Sequence, residues 1–171
     1  MTVAGEVAGG VYGGCDYPVR GNTSVTVSGT VGTSPDWYTG VYGSGNHNRY
    51  NPGADGSVGG NTYVEITESG RVLRELTNSL GVCGGVVGGG YSGAVKGDTM
   101  VVINGVVGND VLGGTVFGGG ARGGDDRGTA NGVINRPVAN ATEQADDWFG
   151  FGAYGLGIGR VCGVYGGTFN L

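Results

Sequence analysis

Polar and apolar residues alternate along this chain in short bursts, and bursts of one pattern return. The clearest is Gly21-Asn22-Thr23-Ser24-Val25-Thr26-Val27-Ser28-Gly29, where Val25 and Val27, followed by Val31, share one face and the polar residues take the other. A period of two is the signature of a strand with one buried face. The unit recurs as Gly60-Asn61-Thr62-Tyr63-Val64-Glu65-Ile66 and as Gly97-Asp98-Thr99-Met100-Val101-Val102-Ile103-Asn104-Gly105, spaced 39 and then 37 residues apart. A degenerate fourth copy covers residues 128–134. Each copy is entered through glycine and an Asn-Thr or Asp-Thr pair, which is turn chemistry.

A second family of bursts falls between the first. It reads Gly10-Val11-Tyr12-Gly13-Gly14, Gly40-Val41-Tyr42-Gly43, Gly85-Val86-Val87-Gly88-Gly89-Gly90, Thr115-Val116-Phe117-Gly118-Gly119-Gly120 and Gly163-Val164-Tyr165-Gly166-Gly167. The first four copies are 30, 45 and 30 residues apart. A longer echo links Asp36-Trp37-Tyr38-Thr39-Gly40-Val41-Tyr42-Gly43 to residues 147–155, which open on Asp147-Trp148-Phe149. Interleaved families at such periods mark a repeat protein.

The expected fold is all-β: a β-solenoid of stacked, glycine-rich coils of short parallel strands, with four to five irregular coils. Residues 1–171 then form a single repeat domain, either a fragment or a repeating subunit. Coils stacked at about 4.8 Å place like residues above one another. Val25, Val64 and Val101 should form one ladder, and Val27, Ile66 and Ile103 another. Tyr12, Tyr42, Val87, Phe117 and Tyr165 should form a third, mostly aromatic stacking column. The long 45-residue interval is assigned to a surface loop inserted at residues 44–59. Helix is expected only at 71–79, where Val72, Leu73, Leu76 and Leu80 have helical spacing, and at 139–148.

Composition supports this picture and removes others. Glycine supplies 43 of 171 residues. At about 1 kcal/mol per helical position relative to alanine, that excludes a helical bundle. Collagen needs glycine at every third residue, a period this chain lacks. Charged residues are only 13% and valine is common, unlike a charged disordered tail. The net charge of −5, with one lysine and no basic run, argues against phosphate neutralisation and so against nucleic acid as partner. No apolar segment reaches the ~18–20 residues of a membrane span. The first ten residues, MTVAGEVAGG, lack a signal peptide's basic start and apolar core. Export is expected to use a leader already removed, or a route without one.

Candidate chemistry is sparse. The single histidine, His47, sits among glycine and asparagine, far from any cysteine, and reads as a solvated turn residue. The pairs Asp125-Asp126 and Asp146-Asp147 offer one carboxylate per strand face, so neither makes a general acid–base couple. No acid recurs at equivalent places, and no catalytic residue, cofactor or enzymatic activity is assigned. Asp110 lies in Gly108-Asn109-Asp110-Val111-Leu112-Gly113-Gly114, one residue off a calcium-roll repeat and without a consecutive second copy. Asp110, Asp125 and Asp126 are weak calcium candidates, and turn residues are the plainer reading. Residues 118–123 have a phosphate-loop composition but no helix to follow them. Thr23, Thr62 and Thr99 align at one threonine per coil, too narrow for an ice-binding face. The cysteines, Cys15, Cys83 and Cys162, form no CxxC or zinc pair and are odd in number. Burial as small side chains and a disulfide between coils or subunits both remain open. The sequons at Asn22 and Asn140 are read as bare.

Aligned on these units, the sequence resembles the glycine-rich repeat proteins of bacterial surfaces, which carry V-[YF]-G-G-G followed by G-[ND]-T-x-V-x-I-x-G-x-V. The resemblance covers most of residues 9–134 and weakens over 135–171. It implies a secreted, extracellular or cell-surface protein with a scaffold or adhesin role and a β-solenoid fold. The expected function is a structural subunit of an extracellular filament, partnered head-to-tail by its own copies. The alternative is a glycan- or receptor-binding module, such as a phage tail-fibre tip. Its contact surface would comprise Trp37, Tyr38, His47, Trp148 and Phe149, with cell-surface glycans as partners.

Overall fold

The computed structural model describes residues 1–34, 40–45, 55–73, 85–90, 94–108, 114–119, 130–134, 161–165 and 168–170. These residues are all-β; no helix occurs among them. The strands are β1 (Thr2–Val3), β2 (Glu6–Val7), β3 (Val11–Tyr12), β4 (Thr23–Val27), β5 (Thr30–Val31), β6 (Gly40–Tyr42), β7 (Thr62–Ile66), β8 (Arg71–Val72), β9 (Gly85–Val87), β10 (Thr99–Ile103), β11 (Val106–Val107), β12 (Gly114–Phe117), β13 (Ala130–Ile134), β14 (Val161–Tyr165) and β15 (Thr168–Asn170).

They belong to three sheets: β1-β4-β7-β10-β13-β15 (sheet A), β2-β5-β8-β11 (sheet B) and β3-β6-β9-β12-β14 (sheet C). From β1 to β12 the chain visits A, B and C in strict rotation. Every pairing is parallel. Parallel neighbours need a long connection, and from β1 to β13 each connection is spent building the other two sheets.

In sheet A, Val25, Val64 and Val101 stand in register, as do Val27, Ile66 and Ile103. These six side chains are buried, while Ser24, Thr26, Tyr63, Glu65, Met100 and Val102 alternate to the outer face. Sheet B contributes Val31 and Val72, and sheet C contributes Val11, Val41, Val86 and Val116. Together they make one central, almost wholly valine core. β-Branched side chains suit a strand interior, since their restricted χ1 costs little there and neighbours on the pleat interlock.

Sheet C has the Val–Tyr columns in register, Val11 with Val41 and Tyr12 with Tyr42. Adjacent strand residues face opposite ways, so the valines fill the central core and the aromatic column lies on the other face. Tyr42 and Val87 are buried, but outside the central cluster, and Tyr12 is half-exposed. The Tyr12 and Tyr42 rings stack with centroids 4.7 Å apart and planes 8° from parallel. Phe117 and Tyr165 occupy the same register column at the backbone level.

One expectation needs correction. Residues 71–72 are strand β8, not the start of a helix. Val72 is fully buried under Val31, and the Leu73 amide donates to the Val31 carbonyl at 2.9 Å. The rest of 71–79, and all of 139–148, fall outside the described residues. Of the 44–59 segment, residues 46–54 fall outside the described residues; Asp55 and Gly59 are exposed. Ser44 and Val58 are fully buried, and the Gly45 amide donates to the Gly56 carbonyl at 2.9 Å. Val58 bridges Val19 on one side and Val95 on the other, a fourth parallel column between sheets C and A.

Candidate functional site

The features that distinguish this molecule lie in how each strand layer is tied to the next. At the corner entering sheet A, the Asn61 amide donates to Asn22 Oδ1 at 2.8 Å, and the Asp98 amide donates to Asn61 Oδ1 at 2.9 Å. The Thr23 and Thr62 amides return the link to the Asn61 and Asp98 carbonyls, both at 2.9 Å. Asparagine suits this place because its side-chain carbonyl mimics a backbone acceptor while the corner breaks the regular ladder. The preceding glycines have a steric reason. A Cβ on Gly60 would collide with Asn22 Oδ1, and one on Gly97 with Asn61 Oδ1.

Immediately inside the corner, a buried threonine ties sheet A to sheet C. Thr23 Oγ1 donates to the Gly43 carbonyl and Thr62 Oγ1 to the Gly88 carbonyl, each at 2.5 Å; Thr99 Oγ1 donates to the Gly118 carbonyl. All three threonines are buried, so each hydroxyl satisfies a carbonyl that water does not reach. The Asn-Thr unit and the Val-Tyr-Gly unit are thus joined, layer after layer, by the same bond. Thr62→Val removes the hydroxyl at nearly constant volume and leaves the Gly88 carbonyl without it. The expected cost is about 1–3 kcal/mol in urea unfolding, with Thr62→Ser retaining most of the stability.

The outer face of sheet A carries one perturbed group. Tyr63 OH donates to Glu65 Oε2 at 3.3 Å. Burial first, and then the Glu65 carboxylate, raise the Tyr63 phenol above its ordinary pKa. Because the folded value is raised, any stability this confers is complete below the ordinary tyrosine pKa and is lost as pH climbs through the folded value. That is alkaline behaviour and gives no acid–base group for neutral pH.

Among the described residues, no three His, Cys, Asp or Glu side chains gather into a metal-binding cluster, and no helix is long and apolar enough to cross a membrane. The calcium candidates Asp110, Asp125 and Asp126 lie outside the described residues. So do Trp37, Tyr38, His47, Trp148 and Phe149, and also Cys83. Cys15 is a free, exposed thiol, and its Sγ lies 3.4 Å from the Tyr17 carbonyl oxygen. Cys162 lies within β14.

Among the described residues, β1, β2 and β3 are the outermost strands of the three sheets, each paired on one side. Sequence reading picked out β3 as the first Val-Tyr-Gly copy but passed over β1 and β2, which have no periodicity of their own. Their signal is comparative: Val3 and Val7 each match a valine in the next layer. No family model, curated protein or solved structure matches the chain.

Proposed function

We propose that the chain is a β-solenoid that serves as a structural subunit of an extracellular or cell-surface filament or fibrous scaffold. The observation carrying this reading is the recurrence, in successive layers, of one set of bonds between and within them. Asparagine Oδ1 to the next backbone amide and threonine Oγ1 to a glycine carbonyl repeat from layer to layer. A layer so bonded holds its polar side chains in cohesion, and adding another costs no new design. The sparse charge of the chain favours close stacking over solvation. Surface location follows from the resemblance to glycine-rich repeat proteins of bacterial surfaces.

The purified protein is expected to form unbranched filaments in negative-stain electron microscopy. Aligned fibres should give a meridional diffraction spacing near ~4.8 Å, the strand separation of a solenoid axis parallel to the fibre. A population that stays monomeric at millimolar concentration overturns the filament reading.

A further inference from the structure

The outward face of the fourth parallel column, with the corner that follows it, carries an inference independent of filament formation. We propose that Arg20, Asn22, Asn61 and Lys96 form a binding ridge for a linear polysaccharide with one carboxylate per disaccharide, lying along the direction in which the layers stack.

The valines set the register. Val58 bridges Val19 and Val95, the Gly59 amide donates to the Val19 carbonyl at 2.7 Å, and the Lys96 amide donates to the Val58 carbonyl at 2.9 Å. Arg20, Gly59 and Lys96 are the next residues in three successive layers. Val58 and Val95 are fully buried, so the residue after each turns outward, and Arg20, Gly59 and Lys96 are all exposed. Among the described residues the cationic side chains are Arg20, Arg71 and Lys96. Two of them thus share one column of a chain whose net charge is −5. Gly59 leaves an open step between them, and two layers set them about 9.6 Å apart.

The corner adds neutral donors. Asn22 Oδ1 accepts the Asn61 amide and Asn61 Oδ1 accepts the Asp98 amide. A backbone N–H fixes which end of each side chain is the oxygen. The Nδ2 groups are therefore donors held in place at exposed positions in adjacent layers. A guanidinium, an ammonium and two amide NH2 groups offer donors only, and their complement is an anion rich in acceptor oxygens. Asp98 stands two residues from Lys96 and opposes an anion at that end, so Arg20 carries the larger share.

The number and spacing of the cations select the class of partner. Two cations are too few for duplex DNA, with a charge every ~1.7 Å, or for an anionic membrane, which takes clusters of about 4–8. A carboxylate on every second sugar recurs at close to the two-layer distance. The neutral sugar between carboxylates then lies over Gly59, beside the asparagine amides. Tyr17, three residues before Arg20 and 67% exposed, supplies an apolar ring face for the C–H side of a sugar.

Hyaluronan has one carboxylate per disaccharide and is the probe, with dextran as the neutral control. The protein is expected to bind immobilised hyaluronan at low ionic strength, to release it as salt screens the charges, and to ignore dextran. Arg20→Gln should weaken binding at least about threefold, and Lys96→Gln by less. Arg71→Gln removes the same charge from sheet B and should leave binding unchanged. All three side chains are exposed, so the variants should keep the wild-type circular dichroism and melting curve. That pattern supports the ridge. An Arg71→Gln loss equal to that of Arg20→Gln shows that net charge alone acts, and overturns it. Duplex DNA or phosphatidylserine vesicles bound as tightly as hyaluronan overturn the polysaccharide as partner. No binding to hyaluronan at low salt overturns the whole proposal, while the filament reading is judged separately by electron microscopy.

Discussion

Gly43→Val abolishes the fold: the variant is expected to show no cooperative melting transition, a loss of more than about 4–5 kcal/mol. Gly43 follows β6, and a Cβ built there runs into the carbonyl of Gly88 in the next layer, as well as Thr62 Cβ. The obstacle is backbone, so no rotamer change relieves it. Gly88 cannot retreat either, because a Cβ there would itself meet the Gly118 carbonyl. The clash therefore spreads from layer to layer, and the Thr62 link to Gly88 sits in its path. The control is Gly21→Ala, at a glycine with nothing within 4 Å of its missing Cβ, expected to change stability by no more than about 0.5 kcal/mol. Thermal melts of the two variants followed by circular dichroism decide the matter. Equal tolerance would mean that glycine is an incidental feature of composition and not a spacing requirement between layers.

That contrast separates what the sequence makes legible from what it hides. The five-residue strands of sheet A are readable because residues 23–27, 62–66 and 99–103 alternate long enough to establish a period of two. The two-residue strands of sheet B have no period. At 71–80 the apolar spacing of Val72, Leu73, Leu76 and Leu80 suggests a helix, and only comparison across layers argues otherwise. Gly29-Thr30-Val31, Gly70-Arg71-Val72 and Gly105-Val106-Val107 are three copies of one corner-and-strand unit, and the valines stand in a single column. The same comparison exposes Val19, Val58 and Val95, each two residues before the glycine of Gly-Asn-Thr or Gly-Asp-Thr. They extend the unit to Val-x-Gly-[Asn/Asp]-Thr.

The threonine links were hidden for a different reason. Thr23 and its acceptor Gly43 are 20 residues apart, and Thr62 and Gly88 are 26 apart. Local turn chemistry explains a threonine after asparagine, but not a hydroxyl that reaches a second sheet. Trp37, Tyr38, His47, Trp148 and Phe149, and the acids Asp110, Asp125 and Asp126, lie outside the described residues, and the filament reading rests on none of them.

Ile66→Ala is expected to cost about 2–5 kcal/mol in urea unfolding, whereas Val102→Ala, on the opposite face of the same sheet, should cost less than about 1 kcal/mol. Ile66 is fully buried in the middle of its column, between Val27 and Ile103. Among the described residues it is also the largest fully buried side chain. Its Cγ2 methyl occupies the space beside both Gly70 and Gly105, so the missing side chains at those corners are filled from within. Alanine would empty that volume in two layers, and the walls cannot collapse. Corner backbones already in contact, with the Gly105 Cβ position abutting the Gly70 and Thr67 carbonyls, hold them apart. Val102 is half-buried on the outer face, so truncation there opens no cavity. A large difference between the two costs locates the cohesion in the internal column and explains how such short strands hold together: each layer is clamped by the side chains of its neighbours. Similar costs at the two positions would shift the source of stability to the hydrogen-bonded corners, and Thr62→Val would then be the more damaging change.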